Sequence, residues 1–311
     1  MVENFFLKAD GLEEPVRLDV FCTGKIAGMV RSKLKAGLVE LKLNGVKTKL
    51  SKNVFNGDEV ELKWENPIPT VIQPENLKLK IVYEDKNIIV VNKPSGMVTH
   101  LACGNYRHTL VNALEYYRRN VSDYKDEFST MSLELTDESI RRGIVHRLDK
   151  DTSGLIITAR NYKTQNFLKS EFKKRCVKKY YLAILSGIPA MSQGNIKTSV
   201  FRLKSNARKF KASSDLTKGK FAYSKYRVLK TFGKYSLVLF RIYTGRTHQI
   251  RLHANFLGLS VVGDSLYGKK SDDGFMLHAV KAVFTEPDAK KKLRLKIKMP
   301  KRFLHFINKN K

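Results

Sequence analysis

Cysteine is scarce: Cys22, Cys103 and Cys176 are all the chain has. Odd in number and far apart, they offer neither a disulfide framework nor a zinc-ligand spacing. That points to a reducing, cytoplasmic setting. No apolar run approaches the roughly 18 residues of a membrane span; Ile88-Ile89-Val90-Val91 is among the longest. The first residues, Met1-Val2-Glu3-Asn4-Phe5-Phe6, lack the basic stretch and apolar segment of a signal peptide. Acidic residues are the last shortage. Only 29 Asp and Glu stand against 59 Lys and Arg, a formal net charge of +30. A field of that size attracts polyanions, nucleic acid first and an anionic membrane surface second.

What is present suffices for a folded protein. Hydrophobic residues make up 42% of 311, enough to bury a core without disulfides. The breakers Asn66-Pro67-Ile68-Pro69 and Gln73-Pro74-Glu75-Asn76 hold the chain extended and stop any helix, so residues 66–76 read as a linker. It separates a small basic domain, 13–65, from a main domain, 77–311.

In the small domain, Val16, Leu18, Val20 and Phe21 begin an apolar face. Met29, Val30, Leu34 and Leu38 then recur at helical spacing, with Arg31, Lys33 and Lys35 on the other sides. Val39 to Leu43 alternates as a half-buried strand, Asn44-Gly45 signals a turn, and Gly57-Asp58 leads into a strand at Val60-Glu61-Leu62. In order, Arg17-Leu18-Asp19, Arg31-Ser32-Lys33, Asn44-Gly45 and Gly57-Asp58 resemble the S-four-type RNA-binding domain. That resemblance implies that Arg17, Arg31 and Lys33 touch RNA.

In the main domain, Lys80 to Tyr83 and Ile88 to Val91 read as strands, and Thr109 to Tyr117 as a helix with Thr109 as its cap. Val121 to Ser139 is polar and locally acidic and reads as an irregular excursion. Leu155 to Thr158 is a buried strand, and Thr164 to Arg175 a basic amphipathic helix. Beyond Val177 short strands predominate, including Tyr181 to Leu185 and Ser236 to Tyr243. The expected architecture is α+β, with a mixed, largely antiparallel sheet.

Two clusters carry chemistry. The first is His146-Arg147-Leu148-Asp149-Lys150-Asp151-Thr152-Ser153-Gly154, polar residues between two apolar segments. Such a stretch lines a cleft or is solvated in a turn. Cations beside Asp149 and Asp151 would keep a carboxylate ionised, as a nucleophile or base requires. The second is Thr244-Gly245-Arg246-Thr247-His248-Gln249-Ile250-Arg251-Leu252-His253. Its histidine pair has no Cys or carboxylate near it in sequence, and the arginines repel a cation, so no metal is expected. The arginines suit phosphate or carboxylate.

Together these residues resemble the RluA family, the large-subunit ribosomal RNA type of pseudouridine synthase. The resemblance runs from residue 81 to about 284. It rests on Tyr83-Glu84-Asp85, Asn92-Lys93-Pro94-Ser95-Gly96, Thr109 to Leu114, His146 to Leu155, Lys179-x-Tyr181-x-Ala183, Thr244 to His253, Gly263-Asp264 with Tyr267-Gly268, and Leu277-His278-Ala279. Leu101 after His100, and Glu286-Pro287, depart from the family pattern. The resemblance implies isomerisation of uridine within RNA, without metal or organic cofactor, by a cytoplasmic monomer. Asp149 would be the essential carboxylate, attacking sugar or base. Arg251 would hold it ionised, and Tyr181 would sit against the base and serve in proton abstraction from carbon 5. Arg147 would enter the RNA to hold a flipped-out conformation. His146, Arg246 and His248 would line the RNA path. Large-subunit ribosomal RNA is the expected partner, with transfer RNA as the other choice. Two rivals stand beside this reading: a non-catalytic RNA-binding factor on the same fold, and a glycosidase using Asp149 and Asp151 as its carboxylate pair.

Overall fold

The computed structural model describes residues 2–66, 71–101, 104–133, 142–203 and 205–311. Pro67 to Pro69 of the expected linker, Cys103, and the end of the expected excursion at 134–139 lie outside the described residues. By its internal contacts the chain divides into two units. The first is Met1–Ile72 with Leu101–Arg107 and Leu133–Leu135; the second is Gln73–His100, His108–Ser132 and Thr136–Lys311.

In the first unit, β1 (Val2–Lys8) precedes β2 (Val16–Arg17), α1 (Leu18–Lys25) and α2 (Arg31–Gly37). Then follow β3 (Leu38–Leu43), β4 (Val46–Lys47), β5 (Asn53–Val54) and β6 (Glu59–Glu65). Four strands form one sheet in the order β1-β6-β3-β4, and β2 pairs β5. The sheet thus takes in a strand that starts at Val2, ahead of residue 13. Met29 and Val30, grouped by spacing with the second helix, lie before it, and Leu38 opens β3. Asn44 and Gly45 both adopt positive φ, 51° and 77°, as the tight β3–β4 hairpin requires. Leu18, Phe21, Leu34, Leu41, Leu62 and Trp64 close the core.

The second unit opens with Gln73–Asn76 tied to the first helix that follows: the Asn112 amide donates to the Gln73 carbonyl, and the Glu75 N–H donates to the Asn112 carbonyl. Strands β7 (Ile81–Glu84) and β8 (Ile88–Lys93) lead to α3 (Leu110–Asn120). Thr109 caps that helix in a reciprocal box with Asn112. The polar excursion is more ordered than its composition suggests. It carries α4 (Glu127–Thr130), buries Phe128, and sinks the Asp126 carboxylate against Arg118 and Arg160. Its acidity meets one arginine from the helix just before it and another 34 residues further along the chain, pairings that composition alone does not reveal.

Next come β9 (Ser153–Ala159), buried throughout, α5 (Tyr162–Lys173), β10 (Lys178–Ser186), β11 (Gln193–Leu203), β12 (Asn206–Ser213), β13 (Lys220–Phe232) and β14 (Tyr235–Ile242). The chain ends with α6 (Gln249–Phe256), β15 (Ser260–Val261), β16 (Leu277–Thr285), β17 (Lys292–Lys296) and α7 (Lys301–Lys309). One sheet of eleven strands runs β12-β11-β13-β14-β10-β16-β9-β8-β7, with β15 on β10 and β17 on β16. All its strand pairs are antiparallel except β16 with β9. The α+β, largely antiparallel architecture expected from the sequence is the one observed. Among the described residues, no helix is long and apolar enough to cross a membrane.

Gly154 makes the parallel junction possible. Its φ is +118°, and a Cβ there would lie 2.3 Å from the Ala279 carbonyl oxygen. Only glycine lets β9 approach β16 so closely, and this join carries the polar segment before β9 to the middle of the sheet.

Candidate active site

The polar segment from Val145 to Lys150 has no strand partners of its own, so side chains fix it. Arg118 donates to the carbonyls of Arg142 and Ala159, at 3.4 and 2.9 Å, pinning the segment where it begins. Farther along, the Ile157 N–H donates to Nε2 of His146 at 2.9 Å, and the His146 ring stacks on Phe172. Burial and the nearby Lys179 push the His146 pKa down to about 3, so the ring stays neutral and remains an acceptor. Thr99 Oγ1 donates to the Leu148 carbonyl and accepts from the Leu148 N–H, at 2.9 and 3.3 Å. The fully buried Lys93 ammonium donates to the carbonyls of Pro94, Met97 and Lys150, all within 2.9 Å. Three carbonyls replace its water shell, while burial brings its pKa down to about 8. Asp149 is therefore presented by backbone held on both sides.

Asp149 faces a cavity of about 510 Å³. Alternation along β10 turns Lys179 and Tyr181 into this cavity and Tyr180 to the other sheet face. Tyr181 is 7% exposed; burial, and then the Asp149 charge, push its phenol pKa up. The third wall is the turn into α6. His248 sits at the helix N-cap with φ +56°, and Gln249 folds its amide back to Thr244, the Arg246 N–H and Ser224.

Arg251 projects from α6 toward Asp149, with Nη1 3.7 Å from Oδ2. Its tighter partner is Asp264, which accepts from Nε and Nη2 at 2.7 Å each. Asp264 is 1% exposed and also accepts the N–H groups of Leu266 and Tyr267, at 2.9 and 3.0 Å. Burial alone would raise its pKa, but the Arg251 guanidinium overrides this and holds it below the ordinary value. The guanidinium also lies over Tyr267 and Phe275. Arg251 is thus a fixed cation whose free edge reaches Asp149. Sequence reading paired Arg251 with Asp149 alone and missed Asp264, although Gly263-Asp264 was among the matching motifs. Gly263 was the available signal: its φ is +80° and a Cβ would strike the Gly274 carbonyl, so the turn that places Asp264 requires glycine.

The remaining candidates divide between the two units. Arg147 is exposed at the cavity rim and has no side-chain hydrogen bond or ion pair with any described residue. Arg246 lines the cavity but spends its Nε on the Phe221 carbonyl at 2.9 Å. The Tyr267 hydroxyl accepts the Phe210 N–H, which leaves its own proton for Nδ1 of His248, 2.8 Å away. Burial lowers the His248 pKa despite the pull of Asp149. Lys179, passed over as a site candidate, also lines the cavity, and burial brings its pKa down to about 8. Arg17, Arg31 and Lys33 lie in the first unit. Asp19 is shared by Arg17 and Arg31, at 3.1 Å each, and Lys33 lies 5.1 Å from the Trp64 ring centre. Both arginines are more than half exposed, so a phosphate could reach them.

The cavity is lined by cations, an aspartate held beside a fixed arginine, and a buried tyrosine; comparisons with known proteins give the family. Residues 87–256 match the family described as RNA pseudouridylate synthase. The chain is 38% identical over 310 residues to the ribosomal large subunit pseudouridine synthase D of Borreliella burgdorferi, covering 95% of this chain and 90% of that protein. It is also 38% identical over 266 residues to an uncharacterized RNA pseudouridine synthase of Chlorobaculum parvum, covering 84% and 78% of the two chains. Among solved structures, human RNA pseudouridylate synthase domain containing 1 superposes with a TM-score of 0.57 at 26% identity, covering 72% of this chain and 84% of that one. A match over more than half of the chain, with identity sustained along nearly its whole length, leads to one conclusion: the chain belongs to the RNA pseudouridylate synthase family and is an isomerase acting on RNA.

Proposed function

We propose that this enzyme converts specific uridines of large-subunit ribosomal RNA to pseudouridine, with Asp149 as the essential carboxylate. The observation that carries the reading is the Asp149–Arg251 contact at the cavity, with Arg251 clamped from behind by Asp264. A cation held 3.7 Å away offers the carboxylate a fixed positive partner yet leaves its oxygens unsaturated by close bonds, as a nucleophile needs. The named Borreliella relative supports the choice of ribosomal RNA.

In the reaction the bond from ribose C1′ to N1 breaks, the base turns, and C1′ joins C5. The C5 proton leaves and N1 gains one, so the atoms balance without a cofactor. The detached base stays in the cavity as the next nucleophile, which makes the second step effectively intramolecular. Because burial keeps the Tyr181 phenol protonated, it passes its own proton to Asp149 as it takes the one from C5. The target base must leave its stack first, and Arg147 at the rim, without a side-chain hydrogen bond or ion pair among the described residues, fills the space it vacates. The first unit acts as an RNA-binding domain of S-four type through Arg17, Arg31 and Lys33. His146 serves by shaping the Asp149 segment, and Arg246 and His248 by lining the path of the strand.

The test is Asp149→Asn, nearly isosteric, assayed by tritium release from RNA carrying 5-tritiated uridine. Turnover should fall by several decades, on the order of a thousandfold or more, with RNA affinity retained. Asp151→Asn should stay close to wild type. Equal losses in the two variants would favour a glycosidase pair, and substantial release by Asp149→Asn would end the proposal.

A further inference from the structure

On the sheet face opposite the cavity, cross-strand register lines up one row of side chains. Asn195 on β11 pairs with Lys225 on β13, Lys225 with Arg241 on β14, Arg241 with Tyr180 on β10, Tyr180 with Lys281 on β16, and Lys281 with Lys296 on β17. Six strands at about 4.8 Å spacing make a row roughly 24 Å wide. Four of its six positions are cations. Lys225 sits directly opposite Arg241, and Lys281 opposite Lys296; like charges in directly opposed positions destabilise a sheet. None of the four has an ion pair with a carboxylate among the described residues, although acidic partners are used for Lys42, Lys63 and Lys218 elsewhere. A row kept at that cost to the fold is suited to an external polyanion.

The aromatic ring in the row says which part of that polyanion it meets. The Tyr180 ring has the Arg241 guanidinium 5.9 Å and the Lys281 ammonium 5.3 Å from its centre, and Arg241 also lies 4.4 Å from the Tyr243 ring centre. With cations over it, the ring is not offered for base stacking; instead it holds the cations in place. Helix α7 covers the neighbouring part of this face, where Phe303 and Phe306 pack with Leu182, Ile184 and Leu237, and Tyr180 lies partly buried at the edge of that cluster. The row itself borders an open depression of about 490 Å³.

We propose that this row is a second RNA-contact surface, which holds the sugar–phosphate backbone of structured RNA independently of base sequence and away from the catalytic cavity. It rests on charge placement and not on the role given to Asp149.

The test uses the full chain with Lys225, Lys281 and Lys296 all changed to Gln, and an RNA duplex of about 20 base pairs of arbitrary sequence as the probe. Affinity is measured between about 50 and 200 mM KCl. The triple variant should bind at least about tenfold more weakly near 0.1 M salt, and the slope of log affinity against log salt should shrink by about 2 to 3. A charge-matched control, with the exposed lysines Lys78, Lys125 and Lys163 changed to Gln, should lose less than about threefold. Asp149→Asn should bind the duplex as wild type does, so failure of the catalytic reading and failure of this one give different results. Unchanged binding by the triple variant, or an equal loss in the control, would overturn the proposal. So would a triple variant that loses binding to anionic phospholipid vesicles while keeping its affinity for the duplex.

Discussion

Asp264→Asn isolates the residue that motif reading passed over. In the native site Asp264 takes two 2.7 Å bonds from Arg251 while nearly inaccessible to solvent. An asparagine oxygen can accept one of them, but its amide would face the guanidinium with a donor. Breaking a buried pair by removing one partner costs about 3–5 kcal/mol. Arg251 retains some solvent contact, with 12% of its side chain exposed, and Asp149 can take up part of its charge. The expected loss is therefore about 2–3 kcal/mol, or a melting temperature lower by roughly 5–10 °C. The effect on turnover should exceed what stability explains. Released from behind, Arg251 closes on Asp149 and ties up its oxygens in short bonds. A displacement of about 1 Å at such a group costs on the order of a hundredfold in rate. Tritium release below the melting transition reads turnover, and thermal denaturation reads stability. Arg251→Lys should lose turnover comparably, since a lysine cannot keep the bidentate clamp while reaching Asp149. The double variant should then be little worse than either single one, because both break one unit. Turnover within threefold of wild type despite a lowered melting temperature would refute the positioning role, and so would strictly additive losses.

Gly154→Ala would put a Cβ against the Ala279 backbone at a positive φ, and it should destabilise the fold by more than about 3 kcal/mol. A melting temperature within about 2 °C of wild type would show that the β9–β16 junction tolerates a side chain. Acid should weaken the protein through its buried histidines. Burial lowers His253 and His278 to about 4, against about 6.5 when unfolded, so between these values the unfolded chain binds more protons. Their contribution is complete above pH ~6.5 and falls as pH drops toward 4, by about 2 kcal/mol each at pH 5. Melting temperatures measured at pH 7 and 5 should differ less in His253→Gln than in wild type; an equal difference would count against the assignment.

Much of this protein was legible in its sequence because much of it is local. Asn44-Gly45 closes a hairpin wherever it sits, Thr109 with Asn112 caps a helix from within four residues, and alternation from Val39 to Leu43 needs only a buried face. The family blocks around Asp149 and Arg251 could be recognised because the polar clusters stand out between apolar strands. The bounds of α2 were less legible, since Met29, Val30 and Leu38 satisfy a helical period although they lie outside the helix. The acidic stretch after Val121 reads as an irregular excursion because its partners, Arg118 and Arg160, meet it only in the folded chain.

Tertiary structure decided which charge faces which. Nothing in the spacing of Arg251 and Asp264 says that the clamp is tighter than the contact with Asp149; the turn at Gly263 and the packing of α6 settle that. Lys93 and the Lys150 carbonyl meet through contact between a hairpin and a loop, not through sequence proximity. The basic row from Lys225 to Lys296 exists only because strand register brings five segments side by side, and a shift of one residue in any strand would turn its member to the other face. Local order follows from the chemistry of neighbouring residues, whereas the site and the cationic face follow from long-range pairing, whose partners no local pattern names.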